Sequence, residues 1–137
     1  MPSANLESVA YGLQTEKRLH RQQRQKVDVR PRTVKNYETA DGRCPFDEWI
    51  DSLDDQKGKA QIDARIARLR LGSLGKWNDV GEGVIELIFK NVGPGYRVYC
   101  GQDGPDLVIL LGGGIKRGQQ PDIDRAKECW QDYKKSK

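Results

Sequence analysis

Arg97, Tyr99, Lys90 and Lys116 are the residues of this sequence best suited to chemistry, with Glu86, Lys76 and Arg117 close to them along the chain. Arg97 and Tyr99 alternate in Gly93-Pro94-Gly95-Tyr96-Arg97-Val98-Tyr99, so a strand there puts both on one face. Lys90 closes the preceding apolar run, and Lys116-Arg117 follow Gly112-Gly113-Gly114 at the end of the next one. A guanidinium offers planar, bidentate donors to phosphate. A lysine acts as a base only where burial or neighbouring cations lower its pKa. A tyrosine can stack on a nucleobase or relay a proton. Such a set suits attack of a ribose 2′-hydroxyl on the adjacent phosphorus, with the 5′-oxygen leaving. That reaction needs in-line geometry and donors where charge develops on the phosphoryl oxygens. Arg97, Lys116 and Lys90 are therefore the catalytic candidates, and Tyr99, Arg117 and Lys76 the candidate substrate contacts.

Other chemistries are excluded by what the chain lacks. Its single histidine, His20, lies in a polar stretch near the start, so paired-histidine, Ser–His–Asp and Cys–His sites have no histidine in the core. The glycine triplet does not match a phosphate-binding P-loop. It is expected to turn the chain tightly. Cys44, Cys100 and Cys129 are widely spaced and odd in number, without a Cys-x-x-Cys pair, and read as ordinary thiols. No metal site and no cofactor is expected. Several of these candidates have a plainer reading beside the functional one. Arg97 can serve only an ion pair to Glu86 across the sheet, Tyr99 only packing, and Lys116-Arg117 only a solvated turn.

The elements that would position these residues follow from periodicity. Val34 to Tyr37 continues a strand expected to start at Val27 and Val29, with Pro31 marking an edge or a bulge. Pro45 suits the first turn of a helix, where Asp47 and Glu48 complement the dipole; Phe46, Trp49, Ile50 and Leu53 form its apolar stripe. A second helix is expected from Gln56 to Leu71, with Ile62, Ile66 and Leu69 inward and Gly72 as its cap. The glycine-rich stretch from Gly72 to Gly83 reads as a connection. Strands follow at Val84–Lys90, Tyr96–Gln102 and Asp106–Leu111, the last two joined through Asp103-Gly104. A final helix begins near Pro121, with Ile123, Ala126, Trp130 and Tyr133 buried. The order β-α-α-β-β-β-α predicts an α+β domain, with helices packed on an antiparallel sheet of about four strands.

The chain has 137 residues and a net charge of +4, with 32% charged and 36% apolar residues, a composition for one globular domain with an anionic partner. Residues 1–26 are polar and basic and are expected to be a flexible extension; residues 27–137 form the domain. With no apolar run of membrane length and no signal-peptide pattern, a cytoplasmic protein without membrane contact is expected.

Four segments carry a resemblance: Tyr37-Glu-Thr-Ala-Asp-Gly-Arg-Cys-Pro-Phe-Asp-Glu-Trp49, Gly93-Pro-Gly-Tyr-Arg-Val-Tyr99, Leu110-Leu-Gly-Gly-Gly-Ile-Lys116 and Gln120-Pro-Asp-Ile-Asp-Arg-Ala-Lys127. From about Val27 to Tyr133 the chain resembles the RelE/ParE superfamily of bacterial toxins, in its phage-derived, HigB-like "addiction module killer" branch. The resemblance implies a RelE-like fold and the toxin half of a type II toxin–antitoxin pair. It implies an endoribonuclease (mRNA interferase) that cuts mRNA at the ribosome without a metal. A cognate antitoxin, expected to be a helix-turn-helix protein, would neutralise it. It places the phosphate-contacting arginine on Arg97 and the basic position after the last strand on Lys116 or Arg117. The chain departs from the pattern at Ile88, where family members often carry an arginine, and by one extra residue before Gly93. Lys90 is the residue that could replace the missing charge. ParE-like members instead poison DNA gyrase, so gyrase inhibition, or an inactive protein that only binds its antitoxin, stays open.

Overall fold

A computed structural model describes residues 30–137. The expected extension over residues 1–26, His20, and the strand start at Val27 and Val29 lie outside the described residues. From Pro31 on, the order is β1 (Thr33–Asn36), α1 (Pro45–Ser52), α2 (Gln56–Arg70), β2 (Trp77–Gly81), β3 (Val84–Ile88), β4 (Tyr96–Gln102), β5 (Leu107–Ile115) and α3 (Gln119–Lys135).

The strands form one five-stranded mixed sheet in the order β1-β5-β4-β3-β2. The α+β class is as expected, but the four-stranded antiparallel sheet is not. β1 runs parallel to β5, with Thr33 opposite Leu107 and Asn36 opposite Leu110. A fifth strand, β2, lies in the stretch read as a connection and pairs antiparallel with β3. It escapes sequence reading because Trp77-Asn-Asp-Val-Gly81 is an edge strand without apolar alternation. Its turn explains why it forms: Glu82 and Gly83 both take positive φ, 56° and 87°, as a two-residue hairpin of the primed type requires.

The helices begin where local chemistry allows. Pro45 opens α1, and Asp47 and Glu48 occupy its first turn. Asp55 caps α2 by accepting from the Gly58 amide at 2.9 Å. Gly72, at φ 106°, turns the chain away after α2.

Helices cover both sheet faces. Phe46 of α1 and Ile62, Ile66 and Leu69 of α2 pack on Ile85, Leu87, Val98, Cys100, Val108 and Leu110. On the other face Ile123, Ala126 and Trp130 of α3 meet Val84, Tyr99, Ile109 and Leu111, together with Tyr37.

The glycine triplet is not a turn, contrary to expectation. β5 continues through it to Ile115. An irregularity between Tyr99 and Cys100 leaves Leu111 unpaired between Leu110 and Gly112, and Gly112 has φ 155°. A Cβ at Gly113 would overlap the Trp49 ring, and one at Gly114 would overlap the Asp122 carboxylate. These glycines let α1 and the start of α3 approach opposite faces of one strand.

Candidate functional site

The alternation of antiparallel strands gathers most of the candidates at one end of the sheet. Lys76 precedes β2, Lys90 follows β3, Arg97 is the second residue of β4, and Lys116 follows β5. The end of β3, the start of β4 and the end of β5 coincide, because Ile88 pairs with Arg97 and Arg97 with Gly114. The amide of Ile88 donates to the Lys76 carbonyl at 3.0 Å, which brings Lys76 beside the same row. Lys76, Lys90, Lys116 and Arg117 are exposed, whereas Arg97 is half-buried and Tyr99 buried.

The Arg97 guanidinium and the stem of Lys116 both approach Gly95. The Lys116 amide donates to the Gly95 carbonyl at 2.8 Å. A Cβ added at Gly95 would lie 3.1 Å from Lys116 Cβ and 3.7 Å from Arg97 Nη1. A side chain at Gly95 would press on the Lys116 stem and crowd the Arg97 guanidinium, a constraint on this position beyond its positive φ of 87°.

Arg97 is turned back toward the protein. Its Nη1 donates to the carbonyls of Gly95 and Tyr96 at 3.2 and 3.1 Å. Its Nε is 3.9 Å from Glu86 Oε1, and its side chain is only 12% exposed. The contact to Glu86 that composition allowed as a plain structural reading is therefore present. Glu86 itself is buried and held from two further elements. Gln119, in the first turn of α3, donates Nε2 to Glu86 Oε2 at 2.6 Å, and Asn78 of β2 donates to Oε1 at 3.4 Å. Neither amide stood out in the sequence, because each is an ordinary polar residue until the fold brings it to Glu86.

Tyr99 lies beside this cluster, opposite Glu86 across β3 and β4. It is fully buried and its hydroxyl has no hydrogen-bond partner. Burial raises its pKa well above the ordinary phenol value, and the nearby Glu86 and Asp122 carboxylates add to the rise. It stays protonated near neutrality, and stacking on a nucleobase would require α3 to move away. Burial also raises the Asp122 carboxyl against the opposing pull of Arg125. Burial pushes the Cys100 thiol up to about 12, which makes it an inert core group.

A second concave feature lies elsewhere. β1 covers β5 only as far as Leu110, so the half of β5 beyond it is a sheet edge. A cavity of about 490 Å³ opens there between α1 and α3, lined by Trp49, Gly112, Gly113, Arg125 and Cys129 among others. None of the sequence-derived candidates lines it. Among the described residues no cluster of His, Cys, Asp or Glu is arranged to hold a metal ion, and no helix is long and apolar enough to cross a membrane.

The arrangement can bind an anion through Arg97 and Lys116, with Lys90, Lys76 and Arg117 extending positive charge around the sheet end. It supplies donors for a phosphoryl group more plainly than it supplies a base. No family model matches the chain. A protein of Haemophilus influenzae, described only as uncharacterized, is 45% identical over 82 residues, covering 60% of this chain and 82% of that protein.

Proposed function

We propose that this chain, which belongs to one family with that uncharacterized Haemophilus influenzae protein, is a RelE-like toxin of a type II toxin–antitoxin pair that cuts mRNA in the cytoplasm without a metal. The observation that carries the proposal is the approach of both Arg97 and the Lys116 side chain to Gly95, at the sheet end where the other cations emerge. The resemblance of Gly93–Tyr99 and Leu110–Lys116 to the toxin superfamily supplies the reaction class.

In this reading the RNA backbone enters over Gly95. Arg97 meets the non-bridging oxygens of the scissile phosphate, and Lys116 stabilises charge on the same group. The 2′-oxygen bonds to phosphorus as its proton passes to a base, the bond to the 5′-oxygen breaks, and that oxygen takes up a proton. The products are a 2′,3′-cyclic phosphate and a 5′-hydroxyl end. Lys90, two residues after Ile88, takes over the charge missing there. Lys76 and Arg117 hold flanking phosphates, where exposed cations add affinity that falls with salt. Tyr99 supports the strand from below. The ribosome would supply in-line positioning of the mRNA, and a helix-turn-helix antitoxin would cover the cationic end.

The test is induction of the chain in a bacterial host with sequencing of RNA 5′ ends. New ends clustered at preferred positions in messages are expected. Arg97→Ala should remove both the breaks and the growth arrest while circular dichroism stays that of the native protein. Removing one preorganised donor costs about 100-fold to 1000-fold in rate. Unchanged toxicity of a soluble Arg97→Ala protein would exclude Arg97 from the reaction.

A second reading is favoured by the contact between Arg97 and Glu86 at 3.9 Å. With Arg97 held in the protein and Ile88 in place of a cation, the chain would act as a non-catalytic inhibitor of DNA gyrase. Intact messages accompanied by DNA breaks in the same induction would select it.

A further inference from the structure

Glu86 is the one buried acid among the described residues, and its surroundings are asymmetric. Gln119 donates to Oε2 at 2.6 Å and Asn78 to Oε1 at 3.4 Å. Arg97 Nε approaches Oε1, the oxygen that also accepts from Asn78, only to 3.9 Å, a distance that gives electrostatic attraction without a hydrogen bond. Charge-assisted pairs built for stability are shorter and often bidentate. Arg43 and Glu48 show that geometry on the surface, with two bonds of 2.9 Å. The buried Arg65 shows what an arginine fixed for structure looks like here. It donates to the carbonyls of Ile88, Leu74 and Lys76 at 2.7, 3.1 and 2.5 Å and lies over the Phe89 ring. Arg97 has weaker attachments: Nη1 donates to the Gly95 and Tyr96 carbonyls at 3.2 and 3.1 Å, and Nε has no hydrogen-bond partner.

We propose that Glu86 is an internal stand-in for substrate phosphate: it holds Arg97 in a folded-back resting position from which an anionic ligand must draw it, and Gln119 sets the strength of that hold. This rests on the reading of Arg97 as the phosphate contact. A free carboxylate can follow an arginine that moves, and its negative charge would then oppose the incoming phosphate. A carboxylate pinned by an amide from α3 and another from β2 cannot follow. Arg97 then turns outward with the energetic cost of leaving Glu86, and that cost lowers the apparent affinity for every anion. Because Gln119 stands in the first turn of α3, displacement of that turn would free Glu86 to close on Arg97 and shut the site. Glu86 and Gln119 are thus positioning residues, acting on substrate through Arg97.

The test uses the full chain and two probes, inorganic phosphate and a short single-stranded RNA whose 2′-hydroxyls are blocked by methylation. The arginine Nε–H signals are followed by nitrogen-resolved NMR, with the Arg97 signal assigned by its loss in Arg97→Ala. In Glu86→Gln, which keeps the size of the side chain, the Arg97 signal should move before any ligand is added. Both probes should then bind about tenfold more tightly, a gain of about 1.4 kcal/mol. The double variant Glu86→Gln with Arg97→Ala should lose that gain. Gln119→Ala keeps the carboxylate and unpins it, so binding should weaken; it also carries the test if Glu86→Gln does not fold. An unmoved Arg97 signal in Glu86→Gln, or unchanged phosphate affinity in both folded variants, would overturn the latch. The nuclease reading fails separately. A latch seen with phosphate in a protein that makes no RNA breaks leaves the latch standing and removes the nuclease. RNA breaks with no response to Glu86 do the reverse.

Discussion

The two faces of the sheet are built from the same strands and solve different problems. On the face covered by α1 and α2, β3 and β4 contribute Ile85, Leu87, Val98 and Cys100, all buried and none charged. On the face covered by α3, the same strands contribute Val84, Glu86, Arg97 and Tyr99. The first face buries apolar area, the main favourable contribution to folding. The second includes a buried carboxylate, an unpaired phenol and a poorly paired guanidinium beside a tryptophan-centred cluster. Burying such groups costs free energy unless every one is satisfied, so this face gives up stability. The difference teaches where to look for function. The buried cation of the first side, Arg65, gives three hydrogen bonds to backbone carbonyls, whereas on the second the Tyr99 hydroxyl and Arg97 Nε have no partner, near the end where the cations converge.

The largest effect should come from the apolar face. Leu87→Ala is expected to lower unfolding free energy by about 3 kcal/mol, measured by urea denaturation. A loss well under 1 kcal/mol would show that this face is not the tightly packed one. Gly101→Ala tests the other face. Gly101 lies directly under Trp130, whose ring a Cβ would overlap. Pushing α3 outward should cost about 2 kcal/mol and shift tryptophan fluorescence to longer wavelength.

A smaller effect, and a pH dependence, belongs to Asp55. The Gly58 amide, with the Tyr96 hydroxyl at 2.9 Å, holds its carboxyl below the ordinary range. A depressed carboxylate contributes stability that is present above its unfolded pKa and is lost as pH falls through the folded one. The melting temperature should therefore fall on acidification below the ordinary carboxylate range. Asp55→Asn should flatten that part of the profile. An equally steep profile in the variant would move the origin elsewhere.

The smallest effect is the most discriminating. Tyr99→Phe removes a buried hydroxyl that has no partner, so it should leave stability unchanged or raise it by up to about 1 kcal/mol. Growth inhibition should persist. Destabilisation by more than that would mean that the hydroxyl is satisfied in solution and that the two faces differ less than the geometry indicates.

Much of the fold was legible because its signals are local. Pro45 with Asp47 and Glu48 marked α1, the Ile62, Ile66 and Leu69 spacing marked α2, and Asp103-Gly104 marked the hairpin before β5, where the Asp103 amide bonds to the Leu107 carbonyl at 2.8 Å. β2 was not legible. An edge strand needs no apolar face, and its primed turn uses Glu82, a residue type that does not announce positive φ. The glycine triplet was visible but misread, since the rings and carboxylate that require it come from Trp49 and Asp122, distant in the chain or across a turn.

The candidate site divides along the same line. Residue types, their strand parity and the place of each cation at a strand end are properties of the sequence alone. They suffice to bring Arg97, Lys116 and Lys90 to one end of any antiparallel arrangement of these strands, while Lys76 joins them only through β2. Only tertiary structure decided that β1 joins β5 in parallel, that α3 covers Tyr99, and that Gln119 and Asn78 converge on Glu86 behind Arg97. The physical reason is range. Periodicity, caps and turns are settled among near neighbours, whereas burial and the pairing of charges depend on which distant segment arrives to displace water.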